Sequence, residues 1–331
     1  MEIKESGVRL AKDDQAEMKE FYSLDNLVSY LTTKLGMDDN ELEFAREFLR
    51  CNNYYSFSIY VKQVPQEIET GKFFAAVTLY EFNAWLSSTL FHFSGKLEQF
   101  IKATFIEALC NKYDGDFQKG ECYLDPEIYE SEALYQEFIA IIEKHLSENQ
   151  SLAIKHHLMN RNGKFPIWVL FQEMTFGETT RFISSLKQEY REWWISETFL
   201  SSDVVNAKIH GQEIQSKLFG WVSATWHIRN RTAHHLRLYG QNFTVASPSF
   251  FSDDLRRINK NATTKKLKTH NKDLFAYLLA MKNLVQHHSP SFQKVWNNFL
   301  DALDSKFKEH VLVIQPSKIG FPNNWKDILF I

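Results

Sequence analysis

Glycine and proline are scarce, 12 and 7 among 331 residues, and long stretches pass without either, which disfavours a turn-rich β-sandwich or barrel. An all-α protein is expected. Long apolar runs are missing as well: no stretch reaches the roughly 18 uncharged apolar residues of a membrane helix, and "FFAAVTLYEFNAWL" is interrupted by Glu81 and Asn83. The opening "MEIKESGVRLAKDDQAEMKE" lacks the apolar core of a signal peptide, so a cytoplasmic protein with no membrane contact is expected. Cysteine is limited to Cys51, Cys110 and Cys122, spaced too widely for a zinc pattern and suited to a reducing compartment. A formal net charge of −3 excludes an overall basic field, so any nucleic-acid contact must come from a local patch. Neither G-x-S-x-G nor G-x-x-x-x-G-K-[ST] occurs, which removes the commoner hydrolase and phosphate-loop readings.

What is abundant is material for a core. Apolar residues make up 44 % of the chain and aromatics 15 %, far above what a disordered chain carries. "SLDNLVSYLTTKLG" starts at a plausible Ser23 cap, repeats Leu24, Leu27, Leu31 and Leu35, and closes at Gly36. Asp39 is the expected cap of a second helix with Leu42, Ala45, Phe48 and Leu49 as its apolar stripe. Residues 73–111 contain no proline, and Leu79, Phe82, Leu86, Leu90, Leu97, Ile101 and Phe105 recur at core spacing, which predicts one long or two abutting helices. Residues 112–130 read as a loop. A helix capped by Ser131 follows, then one with Pro166 in its first turn, a break near Gly177, and a helix over 203–240 whose buried side carries Ile214, Leu218, Val222, Thr225 and Ile228. Two further helices complete the chain. The expected organisation is an N-terminal helical region over 1–70, a core over 71–245 and a C-terminal helical region over 246–331.

One stretch carries chemistry: "WHIRNRTAHHLRLYG", residues 226–240. On a helix, Asn230 and His234 lie one turn apart, as do Arg231 and His235, and the Arg229 arm can curl toward the same pocket. An imidazole exchanges protons near neutral pH and a guanidinium stabilises charge on phosphoryl oxygens, so the set suits transesterification of RNA through the ribose 2′-hydroxyl. Neither a metal nor another cofactor is needed. The spacing by itself also fits a plain polar helix end. A zinc site on His227 and His234 lacks carboxylate or thiol partners at i+3 or i+4. A second basic stretch, "LRRINKNATTKKLKTHNK" (255–272), offers Arg256, Arg257, Lys260, Lys265, Lys266 and Lys268 as RNA contacts, with Arg231 and Arg237 as further candidates; a solvated loop has the same composition.

The stretch "RNRTAHHLR" resembles the R-N-x-x-A-H-H-x-R signature of bacterial Abi-like (abortive infection, AbiD/AbiF type) proteins. "NNYYSFSIY" (52–60), "TLYEFNAWL" (78–86), "FPIWVLFQEMTFGETTRFISSLK" (165–187) and "SKIGFPNNWKDILF" (317–330) agree in the same order. The resemblance implies membership of the HEPN superfamily: a HEPN-like helical bundle, here with additional N- and C-terminal helices, and metal-independent endoribonuclease activity in phage defence. It places Arg229, Asn230 and His234 on the R-x(4)-H motif, with His235 as substitute. Arg229 would stabilise the transition state, His234 would move the proton, and Asn230 would orient the imidazole or the phosphate. Asn83 and Ser87 stand where relatives tend to carry an acidic residue and an arginine, and Lys102 follows Glu98 where an arginine is usual. Such sites are built from two facing motifs, and this chain has one, so a homodimer with the site at its interface is implied. A toxin-like activity also implies a separate antitoxin, protein or RNA. The competing expectations are a non-catalytic module holding a structured RNA and a structural dimer with a polar interface.

Overall fold

A computed structural model describes residues 20–148, 151–200, 205–245, 247–258 and 272–331. The expected all-α class is what it shows: every regular element among the described residues is helical, with one isolated bridge between Tyr129 and Leu186. No described helix is long and apolar enough to cross a membrane. The chain divides into two compact units between Thr78 and Leu79, a boundary that falls within one long helix.

The first unit contains α1 (Leu24–Leu35), α2 (Asp39–Cys51), α3 (Tyr54–Val61) and the start of α4 (Lys72–Lys112). Ser23 caps α1, and Gly36 ends it at φ 67°, a left-handed conformation that glycine adopts without steric cost. The cap of α2 is Asp38 rather than Asp39, because its carboxylate reaches the Glu41 amide at 2.9 Å while Asp39 already has helical geometry. Glu41 is buried, and its carboxylate accepts the Phe73 and Phe74 amides at 2.9 and 3.2 Å. A carboxylate there satisfies orphan donors of α4 and complements the positive end of its dipole. Phe48, Phe57 and Phe73 close the small core around it.

In the second unit α4 runs on to Lys112 without interruption, so 73–111 is one helix, and every apolar residue expected to face the core from Leu79 to Phe105 is buried. The expected 112–130 loop contains two short 3-10 turns, Lys119–Leu124 and Pro126–Ile128. There follow α5 (Glu132–Glu148), α6 (Leu152–Asn160), α7 (Ile167–Glu173), α8 (Phe176–Ser185), α9 (Gln188–Ile195), α10 (Val205–Ala233), α11 (Ser252–Ile258), α12 (Leu274–Val285), α13 (Pro290–Glu309) and α14 (Trp325–Leu329). All twelve residues of α12 are buried, and α10 packs along it. A helix buried on every side, apolar but for Lys282 and Asn283, belongs at the centre of a bundle.

Two helix starts differ from those the sequence predicts. Pro166 is the residue before α7 rather than inside its first turn. The break lies at Met174 and Thr175 and not at Gly177, because Thr175 and Glu178 form a reciprocal capping box that starts α8 one residue before the glycine. Gly177 is then a point of close approach: a Cβ there would stand 3.1 Å from the Trp226 indole nitrogen of α10. Ile214, Leu218, Val222, Thr225 and Ile228 are all buried, as their spacing requires.

Candidate active site

The helix over 203–240 stops early. α10 ends at Ala233, His235 takes the left-handed conformation at φ 51°, and the Leu236 and His235 amides return to the Arg231 and Thr232 carbonyls at 2.9 and 3.1 Å. This is a Schellman turn with histidine where glycine is usual, a residue type that tolerates left-handed backbone better than most. His234 remains in register, its amide bonding the Asn230 carbonyl at 3.1 Å. Asn230 and His234 therefore keep their one-turn relation. Arg231 and His235 do not, since the backbone reverses between them.

The reversal separates the histidine pair. Arg229, Asn230 and His234 all line one open cleft of about 730 Å³, whose other wall is the start of α8 with Thr175, Glu178 and Arg181. His235 is exposed and does not line it. Arg229 is a third exposed, with its Nε 3.4 Å from Glu98 and a longer 3.5 Å contact from Nη1 to the Asn230 side-chain oxygen. Glu98 in turn sits 2.9 Å from Lys102, and Lys102 donates to the Met174 carbonyl at 2.7 Å. Glu98 and Lys102 are nearly buried. An arginine on α10 is thus tied through two charged residues of α4 to the carbonyl that precedes the cap of α8. Both walls of the cleft share one anchor.

On the opposite wall, burial alone would raise the Glu178 carboxyl; the Thr175 amide and hydroxyl, with His145 at 3.0 Å, outweigh it and hold the group below the usual carboxylate range. Glu178 is therefore an anion at neutral pH. Arg181 pairs with Glu137 at 2.8 Å on the exposed rim. Trp226 supplies a flat apolar surface between the walls.

The remaining candidates lie elsewhere. Arg231 turns inward, its guanidinium 5.1 Å from the Phe243 ring centroid and bonded to the Arg237 carbonyl at 2.6 Å, so it closes the turn after α10. Burial, then the Arg237 charge, lower its pKa. Arg237 bonds the Gln241 side chain at 2.9 Å. His227 packs against Phe243 and Tyr277, and burial, followed by the Arg231 charge, shifts it toward the neutral form. It does not converge with His234, and no cluster of three or more metal-ligating side chains occurs among the described residues. Arg256 pairs with Asp253 at 3.1 Å and Arg257 bonds the Asp327 carbonyl. Lys260, Lys265, Lys266 and Lys268 lie outside the described residues.

Asn83 holds the motif from behind. Buried on α4, its side-chain oxygen accepts the Leu238 and Tyr239 amides at 2.8 and 3.0 Å, fixing the strand of chain that leaves the Schellman turn. Sequence reasoning passed over Glu178, Arg181 and Trp226. The T-x-x-E spacing of Thr175 and Glu178 was the signal available for the first of them.

The model of the Abi-like protein family matches residues 47–240. No curated protein and no solved structure matches the chain. The matched segment takes in α4, both walls of the cleft and the whole Schellman turn, and stops before the 255–272 patch and the 317–330 stretch. Because it spans more than half of the sequence and ends on the glycine that closes "RNRTAHHLRLYG", the chain belongs to the Abi-like protein family.

Proposed function

We propose that the protein is a HEPN-type, metal-independent endoribonuclease acting in bacterial abortive infection. The observation that carries this reading is the convergence of Arg229, Asn230 and His234 on one open cleft, with His235 turned out of it. In the proposed reaction the His234 imidazole removes the proton of a ribose 2′-hydroxyl, and that oxygen attacks the adjacent phosphorus. The bond to the 5′-oxygen breaks, leaving a 2′,3′-cyclic phosphate and a 5′-hydroxyl. Arg229, oriented by Glu98, stabilises the charge that grows on the phosphoryl oxygens, and Asn230 orients the phosphate or the imidazole. DNA has no 2′-hydroxyl and would be inert.

One cleft holds a single histidine of the motif, so protonation of the leaving 5′-oxygen falls to a second copy of the motif in a homodimer, which a two-fold axis brings opposite the first. An activity of this kind requires restraint, and the reading includes a separate antitoxin, protein or RNA. The test is to incubate wild type, His234→Ala and Arg229→Ala with labelled RNA in EDTA and to examine the product ends. Cleavage by the wild type alone, leaving cyclic phosphate, is expected. RNA that is bound yet left intact by a dimeric wild type would refute the nuclease and leave a non-catalytic RNA-binding module.

A further inference from the structure

A second pocket, of about 380 Å³, opens at the other end of α7. Its floor is Trp168, a tryptophan on the first turn of α7 that remains 51 % exposed. The ring lies against Gly120 of the Lys119–Leu124 turn so closely that a Cβ there would stand 2.9 Å from it. Only glycine leaves the indole where it is. One side of the pocket is basic: His157, Arg161 and Lys164 all line it. A turn with two successive left-handed residues, Asn162 at φ 52° and Gly163 at φ 72°, brings Arg161 and Lys164 together, closed by the Lys164 amide on the Arg161 carbonyl at 3.0 Å and by His157 Nδ1 2.8 Å from the Lys164 carbonyl. Lys164 has Glu121 at 3.6 Å as partial counter-charge. The Arg161 guanidinium has no ion pair or hydrogen bond among the described residues.

A flat, half-exposed aromatic face beside a guanidinium unpaired among the described residues and a second cation matches one chemistry, a planar base joined to a phosphate. We infer that this pocket binds a nucleotide, its base stacked on Trp168 and its phosphate held by Arg161 and Lys164, as single-stranded nucleic-acid platforms do. Trp168 lies on the first turn of α7, and Thr175, on the rim of the Arg229 cleft, lies two residues past the end of that helix, so one RNA strand can reach from one to the other. That placement of the strand rests on the ribonuclease reading; the nucleotide pocket does not.

The test uses the full chain with a short fluorescein-labelled 2′-O-methyl oligoribonucleotide, which cannot be cut through its 2′-oxygen, and separately with free GMP. Stacking on an aromatic side chain is worth about 1–3 kcal/mol per base, so Trp168→Ala should weaken binding by about 5- to 150-fold, and Trp168→Phe should restore most of it. Arg161→Gln with Lys164→Gln should lower the salt dependence of strand binding by about 0.7 in log–log slope, the value for the one phosphate they share. Circular dichroism confirms that each variant is folded. Trp168-dependent binding of the strand or of GMP supports the pocket and assigns the source of the nucleotide; affinities for both that ignore Trp168 overturn it. Trp168-dependent binding by a wild type that cuts no RNA would sink the ribonuclease reading alone. Normal cutting and binding by Trp168→Ala would sink this pocket alone.

Discussion

Glu98 is the residue on which both the stability and the chemistry of the cleft turn, and Glu98→Gln isolates its charge at almost constant volume. In the wild type its two oxygens face Lys102 at 2.9 Å and Arg229 at 3.4 Å, with Glu98 itself only 12 % exposed. Glutamine keeps one acceptor, but its amide nitrogen must face one of the two cations, donor against donor. Removing one member of a buried pair costs about 3–5 kcal/mol because the other is left uncompensated. Here about 2–4 kcal/mol is expected, since Arg229 keeps a third of its surface in water and Lys102 keeps the Met174 carbonyl. Urea unfolding, read as a change of midpoint at constant slope, measures it. A freed Arg229 also loses its aim, and a displacement of about 1 Å is enough for a roughly hundredfold loss of cleavage. The double variant Glu98→Gln with Lys102→Met separates the two effects: with the stranded ammonium gone, part of the stability should return, less the bond Lys102 makes to the Met174 carbonyl, while cleavage does not. A loss below about 0.5 kcal/mol for the single variant, the range of ordinary surface changes, or a double variant as unstable as the single one, would refute Glu98 as the shared counter-charge.

Other expectations follow from the same geometry. Asn83→Ala strands two buried amides, at about 1–3 kcal/mol each, and should lower the melting temperature by several degrees, whereas Asn83→Asp, which keeps the acceptor, should lower it less; equal losses would show that the two bonds are not what Asn83 contributes. His235→Gly relieves a left-handed cost of roughly 1–2 kcal/mol against a glycine entropy cost of about 0.5–1 kcal/mol, so it should be neutral to slightly stabilising and leave cleavage intact; loss of activity there would move the proton carrier to His235. Asp273, which caps α12 through the Ala276 amide at 3.0 Å, is raised by burial to about 6. A carboxyl raised in the folded state stabilises it most when protonated, so the protein should lose stability as pH rises from about 4 through 6. Asp273→Asn keeps the cap and should gain up to about 3 kcal/mol at pH 7.5 with little change at pH 4; equal effects at both pH values would exclude the carboxyl as the cause.

The helices were legible because their apolar spacing is long and regular: seven core positions from Leu79 to Phe105 and five from Ile214 to Ile228 are all buried where the pattern put them. The end of α10 was not. Nothing in "TAHHLR" announces a stop, since the turn is made by a histidine in left-handed backbone rather than by glycine or proline, and His234 and His235 are chemically identical on paper. The turn alone distinguishes them. Arg231 shows the same limit from the other side. As a string it belongs with Arg229 and Arg237 in a basic cluster, yet two residues along a helix are about 200° of rotation, and its guanidinium ends on Phe243, away from the cleft. The far wall of the cleft, some fifty residues earlier in the chain, is set by tertiary packing of Gly177 on Trp226, a contact that leaves no local mark.

Asn83 and Lys102 are both satisfied by their surroundings as they stand. Behind the motif, Asn83 has to supply an acceptor to two amides and needs no charge for it, so an amide oxygen serves. Lys102 has two acceptors to satisfy, Glu98 and the Met174 carbonyl, at 2.9 and 2.7 Å, which leaves one of its three donors over. An arginine with five donors in a rigid fork would have to reach further acceptors in the same buried place. A lysine at this position thus suits the network, provided the carboxylate between it and Arg229 stays. The constraint on the cleft is accordingly concentrated in Glu98. It has no neutral substitute, because it faces two cations at once, and a chain of this family carrying a neutral residue there should also have lost the charge of Lys102 or Arg229.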